Sequence, residues 1–144
     1  MFKRFLFSLF ISLLLTLIPH SAFAATTSVT GHKIIIDAGH GGEDNGSTSC
    51  ADLPEKIANL DVASRLRALL EADTVSVVMT RSDDSTLSNN DRYTMANNSA
   101  GEVLVSIHLN GSSNPSTDGT QGLYGKINKD KAFTQVMHNA LCIT

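Results

Sequence analysis

Two histidines and one glutamate have residue types and positions that suit a metal site. His40 stands in a glycine-rich turn, directly after an apolar, β-branched run that is typical of a buried strand. His108 directly follows another such run much later in the chain, and Glu55 lies between the two histidines. Two imidazoles and one carboxylate, with a fourth position left open, are the ligand set of a catalytic zinc site.

Each of these residues also has a simpler interpretation. The glycines around His40 could form a phosphate-binding nest, although they lack the Lys-Ser/Thr ending of a P-loop and the spacing of a dinucleotide-binding fingerprint. Glu55 could be only a helix-capping residue favoured by the helix dipole, and His108 could be a hydrogen-bonded histidine at a strand end. The residues alone therefore leave a metal site, a phosphate loop and purely structural roles open.

The elements that must position these residues alternate along the chain. Strands are predicted at residues 33–37, 75–80, 103–107 and 121–127, and helices after residue 52, at 91–98 and at 131–141. This order indicates an α/β fold with a largely parallel, twisted sheet flanked by helices. Because the carboxyl ends of parallel strands share one edge, where ligands usually bind, His40 and His108 can face the same crevice.

The first predicted helix begins close to Glu55, which places that carboxylate near the same edge. Asp52 is predicted to be the N-cap, with Pro54 in the first turn and Glu55 completing an aspartate version of the capping box. Apolar residues then recur at spacings of three and four, which predicts one buried stripe. Its members are Ile57, Leu60, Ala63, Leu66 and Leu70.

The N-terminus has the layout of a secretory signal peptide. Lys3 and Arg4 precede an apolar run at residues 5–18, and a small-x-small site ends at Ala24, after which we expect cleavage. The run is shorter than the roughly 18–20 residues that span a bilayer, so no stable membrane anchor is expected after cleavage. We therefore predict a signal peptide (1–24), a polar leader (25–32) and one catalytic-type domain (33–144), exported to the periplasm or the cell wall.

The charge balance argues against nucleic acid as a partner, and the two cysteines leave a disulfide undecided. The chain carries 11 Lys and Arg against 14 Asp and Glu, and two of the basic residues lie in the signal peptide. This acidic balance offers no basic surface for nucleic acid. The two cysteines, Cys50 and Cys142, are too far apart in sequence for a zinc signature. An exported chain could join them in a disulfide, which the sequence does not decide.

Short motifs follow one another in a fixed order between residues 33 and 127. They are Asp37-Ala38-Gly39-His40-Gly41-Gly42, Glu55-Lys56 at the start of a helix, Thr80-Arg81 with Asp84, Arg92 with Ala96-Asn97, and Ser106-Ile107-His108. Each motif is common by itself. Together they resemble the zinc-dependent N-acetylmuramoyl-L-alanine amidases, the amidase-3 family.

The resemblance implies that His40, Glu55 and His108 hold Zn²⁺ and that the substrate is peptidoglycan. It implies hydrolysis of the amide between N-acetylmuramic acid and L-alanine of the stem peptide, in cell-wall turnover or cell separation. In the family the general base is a glutamate in a closing strand, which we expect beyond Thr144, so the role is assigned to no residue here. Asp37 is a candidate to orient His40, since metal-bound histidines usually donate their other N–H to a partner.

The abrupt end of the sequence affects the functional prediction. Residues 141–144 are largely apolar and carry no helix cap, which predicts a C-terminally truncated domain with an incomplete sheet. Two alternatives follow: a non-catalytic, zinc-containing cell-wall binding module that lacks the general base, and a zinc peptidase that acts on stem peptides. Arg92 and Asp84 are predicted to brace the fold rather than to bind substrate.

Overall fold

The structure is a computed structural model that describes residues 29–48, 52–109, 111, 114, 116 and 119–142. The chain divides into two units, residues 1–30 and 31–144, and the elements below all belong to the second. The predicted signal peptide, its cleavage site at Ala24 and most of the polar leader lie outside the described residues, as does Cys50.

Three parallel strands form one sheet. They are β1 (Lys33–Ala38), β2 (Ser76–Met79) and β3 (Val103–Ile107), in the order β2-β1-β3. On the central strand, Ile36 is in register with Met79 of β2 and with Val105 of β3. The predicted parallel sheet and its first three strands are confirmed, and the carboxyl ends of β1 and β3 lie side by side as expected.

Three helices flank the sheet: α1 (Glu55–Ala72), α2 (Asn89–Asn98) and α3 (Asp130–Leu141). The α/β fold class is therefore confirmed. Helix α2 begins two residues before the predicted start because Ser88 caps it. The Ser88 hydroxyl accepts a hydrogen bond from Asp91 N, and the Asp91 carboxylate accepts one from Ser88 N. No helix in the described part of the chain is long and apolar enough to cross a bilayer.

The start of α1 differs from the prediction. Pro54 occupies the N-cap position, and no side chain caps the helix. Asp52 is therefore not the cap, and its backbone is left-handed, with a φ of 53°. The loop before the helix supplies a main-chain acceptor instead, because Ser47 O accepts a hydrogen bond from Glu55 N at 2.8 Å. The predicted capping box is wrong, and the Glu55 side chain has no capping role.

The predicted stripe on α1 is wrong at Ile57, which is 50% exposed. The buried face of the helix instead begins with two polar residues, Glu55 and Asn59, and continues through Ala63. The remaining stripe members are partly buried and pack against the core formed by Ile36, Ala38 and Ala63; they are Leu60, Leu66 and Leu70. The periodicity gave the right helix but could not show that its first turns bury polar side chains.

The predicted fourth strand is also wrong. Residues 121–127 form no strand, and Leu123 is 79% exposed. The segment lies against α3 rather than beside β3: a Cβ atom on Gly122 would come within 2.7 Å of Thr134 Cγ2. An alternating or β-rich pattern becomes a strand only when it finds the edge of a neighbouring strand, and this segment does not reach one.

Candidate metal centre

His40 lies in a left-handed turn at the end of β1, with a φ of 61°. Two buried arginines bind the main chain of this turn. Arg81 donates to the carbonyls of Ala38 and Gly39, each at 2.8 Å. Arg92 donates to the carbonyls of Ala38 and His40, also at 2.8 Å. A left-handed conformation is unfavourable for a residue with a Cβ atom, so these bonds help to hold it.

A carboxylate fixes the orientation and tautomer of the His40 ring. His40 Nδ1 lies 2.8 Å from Asp44 Oδ2. The pKa of Asp44 is lowered, first by the hydrogen bond from His40 and then by the one from Gly46 N, so the carboxylate is ionised and can only accept. Nδ1 therefore carries a proton, and Nε2 is the nitrogen left to face a metal ion. Two main-chain bonds between Gly41 and Asp44 hold the loop that carries Asp44.

Glu55 is buried, with 4% of its surface exposed, yet it is ionised. Burial raises the pKa of Glu55, but hydrogen bonds from Ser47 N, Leu109 N and the Asn59 amide lower it by more, so the pKa lies below its ordinary value. The bond from Ser47 N goes to Oε2 at 2.9 Å, and the bond from Leu109 N goes to Oε1 at 2.7 Å. These donors fix the carboxylate with Oε1 towards the histidines.

His108 lies directly after β3 and reaches the same point. Its Nδ1 is 3.2 Å from His40 Nε2 and 3.3 Å from Glu55 Oε1. The His108 ring lies over Gly39, where an added Cβ atom would overlap it. A side chain at position 39 would therefore displace the His108 ring.

The three facing atoms fit a metal ion. His40 Nε2 and Glu55 Oε1 are 3.2 Å apart, which completes a triangle with sides of 3.2, 3.2 and 3.3 Å. In a tetrahedral site with zinc–ligand bonds of about 2.0–2.1 Å, the ligand atoms are about 3.3–3.4 Å apart. His40 Nε2 and Glu55 Oε1 can share a proton or a metal cation at this point, and metal binding would replace the proton. These residues form the one His/Cys/Asp/Glu cluster with metal-ligand geometry in the described part of the chain.

The contacts of Asp37 correct its predicted role. Asp37 accepts hydrogen bonds from Thr80, Ser106 and Arg92 at 2.6 to 2.7 Å, and Asp44 rather than Asp37 binds the His40 ring. A buried carboxylate needs several donors and a counter-charge; all three residues donate, and Arg92 also supplies the charge. Asp37 therefore acts one step further away, through the arginine that binds the His40 carbonyl.

Arg92 and Asp84 brace the fold, as predicted. Arg92 pairs with Asp37 beneath the turn. Asp84 accepts hydrogen bonds from Gly42 N and from Lys56 Nζ, at 2.9 and 2.8 Å, and so ties the glycine-rich loop to the start of α1.

Comparisons with known proteins agree with the resemblance that the sequence motifs between residues 33 and 127 indicated. The sequence profile of the N-acetylmuramoyl-L-alanine amidases matches residues 34–142. The chain belongs to this family.

Among its amidase relatives, the sporulation-specific N-acetylmuramoyl-L-alanine amidase of Bacillus subtilis is 44% identical over 80 residues, or 54% of this chain and 31% of that protein. The probable cell wall amidase LytH of Staphylococcus epidermidis is 30% identical over 126 residues, or 86% of this chain and 41% of that protein. The solved catalytic domain of the amidase CwlV from Bacillus (Paenibacillus) polymyxa is 37% identical, with a TM-score of 0.71, over 75% of this chain and 61% of that domain. The chain thus spans less than half the length of these two curated relatives.

Three residues of this site received no role from the sequence, although Arg81 stands in one of the quoted motifs. Asp44 stands four residues after His40, in the same loop. Asn59 stands four residues after Glu55, and on a helix this spacing places Asn59 and Glu55 on the same face. That second spacing could have identified Asn59. Arg81 binds only main-chain carbonyls in the described part of the chain, which no sequence pattern reveals.

Cys142 is no part of the candidate metal centre: it is exposed at the end of α3, with its Sγ 3.7 Å from His138 Nε2. Cys50 lies outside the described residues, so a link between the two is untested.

The ionised Asp37 should make stability depend on pH. Burial raises the pKa of Asp37, but hydrogen bonds from Ser106, Thr80 and Arg92 lower it by more. A carboxyl whose folded-state pKa is depressed stabilises the fold above its unfolded pKa, about 3.9, and loses that contribution as pH falls through the folded value. Asp37→Asn should therefore lower the free energy of unfolding by about 3–5 kcal/mol at pH 7. The difference in unfolding free energy between the variant and wild type should narrow below about pH 4.

Denaturant unfolding in the presence of a chelator, between pH 7 and pH 3, measures this difference. Asp61→Asn is the matched control, because Asp61 forms an exposed pair with Arg65 and should change stability by only about 0–1 kcal/mol throughout. An Asp37→Asn deficit that stays constant down to pH 3 would contradict the interpretation.

Proposed function

We propose that this chain is a zinc-dependent peptidoglycan amidase domain, which hydrolyses the amide between N-acetylmuramic acid and L-alanine of the stem peptide. The triangle of His40 Nε2, Glu55 Oε1 and His108 Nδ1 carries the proposal, because its sides suit tetrahedral zinc with one position open. Family membership supports the same reaction. The names of the relatives, a sporulation-specific amidase and a probable cell wall amidase, support peptidoglycan as the substrate.

The donor set favours zinc over the hard cations. Calcium and magnesium prefer six or more oxygen ligands, whereas two neutral imidazoles and one carboxylate suit zinc. When bound, zinc would lower the pKa of a coordinated water and polarise the carbonyl of the scissile amide. The protein residues hold the three ligand atoms in place: Asp44 keeps the His40 proton on Nδ1, and the main chain of Ser47 and Leu109 keeps Glu55 ionised and oriented.

Amide hydrolysis also needs a base that takes a proton from water and passes it to the leaving amine. Glu55 is committed to the ligand triangle, and Glu71 and Glu102 are bonded elsewhere, to Arg67 and to His32. Glu43 is exposed, and no contact of its carboxylate in the described part of the chain places it at the triangle. We therefore assign the general base to no described residue of this chain.

We further propose that the chain is exported and acts on the cell wall. The pattern at residues 1–24 supports a cleaved signal peptide, and the relative named as a probable cell wall amidase supports the site of action. N-terminal sequencing of exported protein should begin at Ala25; a start at Met1 would exclude cleavage.

Glu55→Gln tests the ligand role most sharply. Glutamine keeps the shape of the side chain but replaces an anionic donor with a weak neutral one, so zinc affinity should fall by about two orders of magnitude or more. The amide oxygen of the introduced glutamine would still accept a hydrogen bond from one of the main-chain donors, so the metal-free fold should survive. Zinc titration by calorimetry, with a thermal melt in chelator, measures both effects.

Glu71→Gln, in an exposed pair on the same helix, is the matched control. Zinc affinity within a few-fold of wild type for Glu55→Gln would remove Glu55 from the site.

Product analysis tests the reaction. Zinc-loaded protein with its general base present should release from peptidoglycan stem peptides with a new N-terminal L-alanine amine, and a chelator should abolish that release. New amines within the stem peptide would indicate a peptidase instead. Co-sedimentation with peptidoglycan and no new amine of either kind would indicate a binding module.

A further inference from the structure

Asn59 is the most unusual residue on the buried face of α1. It lies one helical turn after Glu55 and is completely buried; among the fully buried side chains of the described residues, only it and Ile36 are large. A polar amide at such a position usually has partners for all of its hydrogen-bonding atoms.

The Asn59 amide is satisfied on one side only. Its Nδ2 donates to Gly39 O at 3.2 Å and to Glu55 Oε1 at 3.3 Å. Its Oδ1 has no hydrogen-bond donor among the residues that the structure describes. Rotating the amide would not help, because Oδ1 would then face two acceptors, the Gly39 carbonyl and the Glu55 carboxylate. The contacts therefore fix the orientation of the amide.

The unsatisfied oxygen lowers stability, since a buried acceptor without a partner loses its bonds to water. An apolar side chain would avoid that loss, and apolar residues fill the next positions of the same face, from Ala63 onwards. What an apolar residue cannot supply is the amide NH₂ group. That group joins the oxygen of Glu55 that faces the histidines to the main chain immediately before His40.

We propose that Asn59 is a positioning residue of the metal centre, which sets the distance between the Glu55 carboxylate and the turn that carries His40. This inference rests on the proposed zinc site. Ser47 N and Leu109 N bind Glu55 from loops, whereas Asn59 binds it from the same helix and also binds the His40 turn. Asn59 thus connects the Glu55 carboxylate itself to the His40 turn, whereas Arg81 joins the same two segments only through the main-chain carbonyls of Lys56 and Gly39.

Asn59→Leu separates this role from simple packing. Leucine keeps the branching at Cγ, but it removes both donated bonds and the unsatisfied oxygen together. In chelator, the melting temperature should therefore change little, while zinc affinity should fall about 10- to 100-fold. Asn59→Ala, which leaves a small cavity, should lower both the melting temperature and zinc affinity, and it decides the question if the bulkier leucine prevents folding.

Leu66→Ala is the matched control, because Leu66 packs against the core from the same helix, about two turns further on. It should lower the melting temperature and leave zinc affinity within a few-fold of wild type. If both Asn59 variants bind zinc as tightly as wild type, whatever their melting temperatures, Asn59 is only a core residue and the inference is wrong. A wild-type chain that fails to bind zinc would instead refute the proposed function itself, and the inference with it.

Discussion

The guanidinium groups of Arg81 and Arg92 bind three consecutive main-chain carbonyls, those of Ala38, Gly39 and His40. Both arginines are almost completely buried, and a buried cation must satisfy its N–H groups or lose much of its solvation energy. The carbonyls at the end of β1 supply those acceptors. In return, the arginines hold His40 in a left-handed conformation that an extended strand would not adopt unaided. The position of the first candidate ligand therefore depends on a buried polar cluster rather than on the apolar core.

The other two candidate ligands meet His40 because of the parallel sheet and the loop before α1. His108 arrives on the neighbouring strand, and Gly39 leaves room for its ring. Glu55 arrives from the helix, with its carboxylate held by main-chain N–H groups from two loops. His40 and Glu55 are held by bonds that form without metal, to Asp44 and to two main-chain N–H groups. The His108 ring packs over Gly39, and its polar contacts among the described residues are those to the other two candidate ligands, so two of the three are fixed before a metal binds. Such preorganisation spares the metal the cost of ordering its ligands.

The sequence predicted the features that follow from local periodicity and from sheet topology. β-Branched runs marked the three strands, and the rule that parallel strands share their carboxyl edge brought His40 and His108 together. The errors arose where a distant partner decides the outcome. Asp37 pairs with Arg92 of helix α2, and so it does not bind the His40 ring directly. Residues 121–127 found no strand to pair with, and the first turn of α1 buries polar side chains that bind loops. The Asp44 contact depends on a loop conformation that sequence periodicity does not encode.

The central claim is that His40, Glu55 and His108 together bind zinc with one position left open. Zinc K-edge X-ray absorption of the zinc-loaded chain tests it most directly, because it reports the type and distance of the ligand atoms. We expect two imidazole nitrogens and light oxygen donors, four ligands in all, at about 2.0–2.2 Å. A sulfur ligand at about 2.3 Å, which would indicate cysteine binding, or a spectrum with fewer than two imidazoles, would contradict the account.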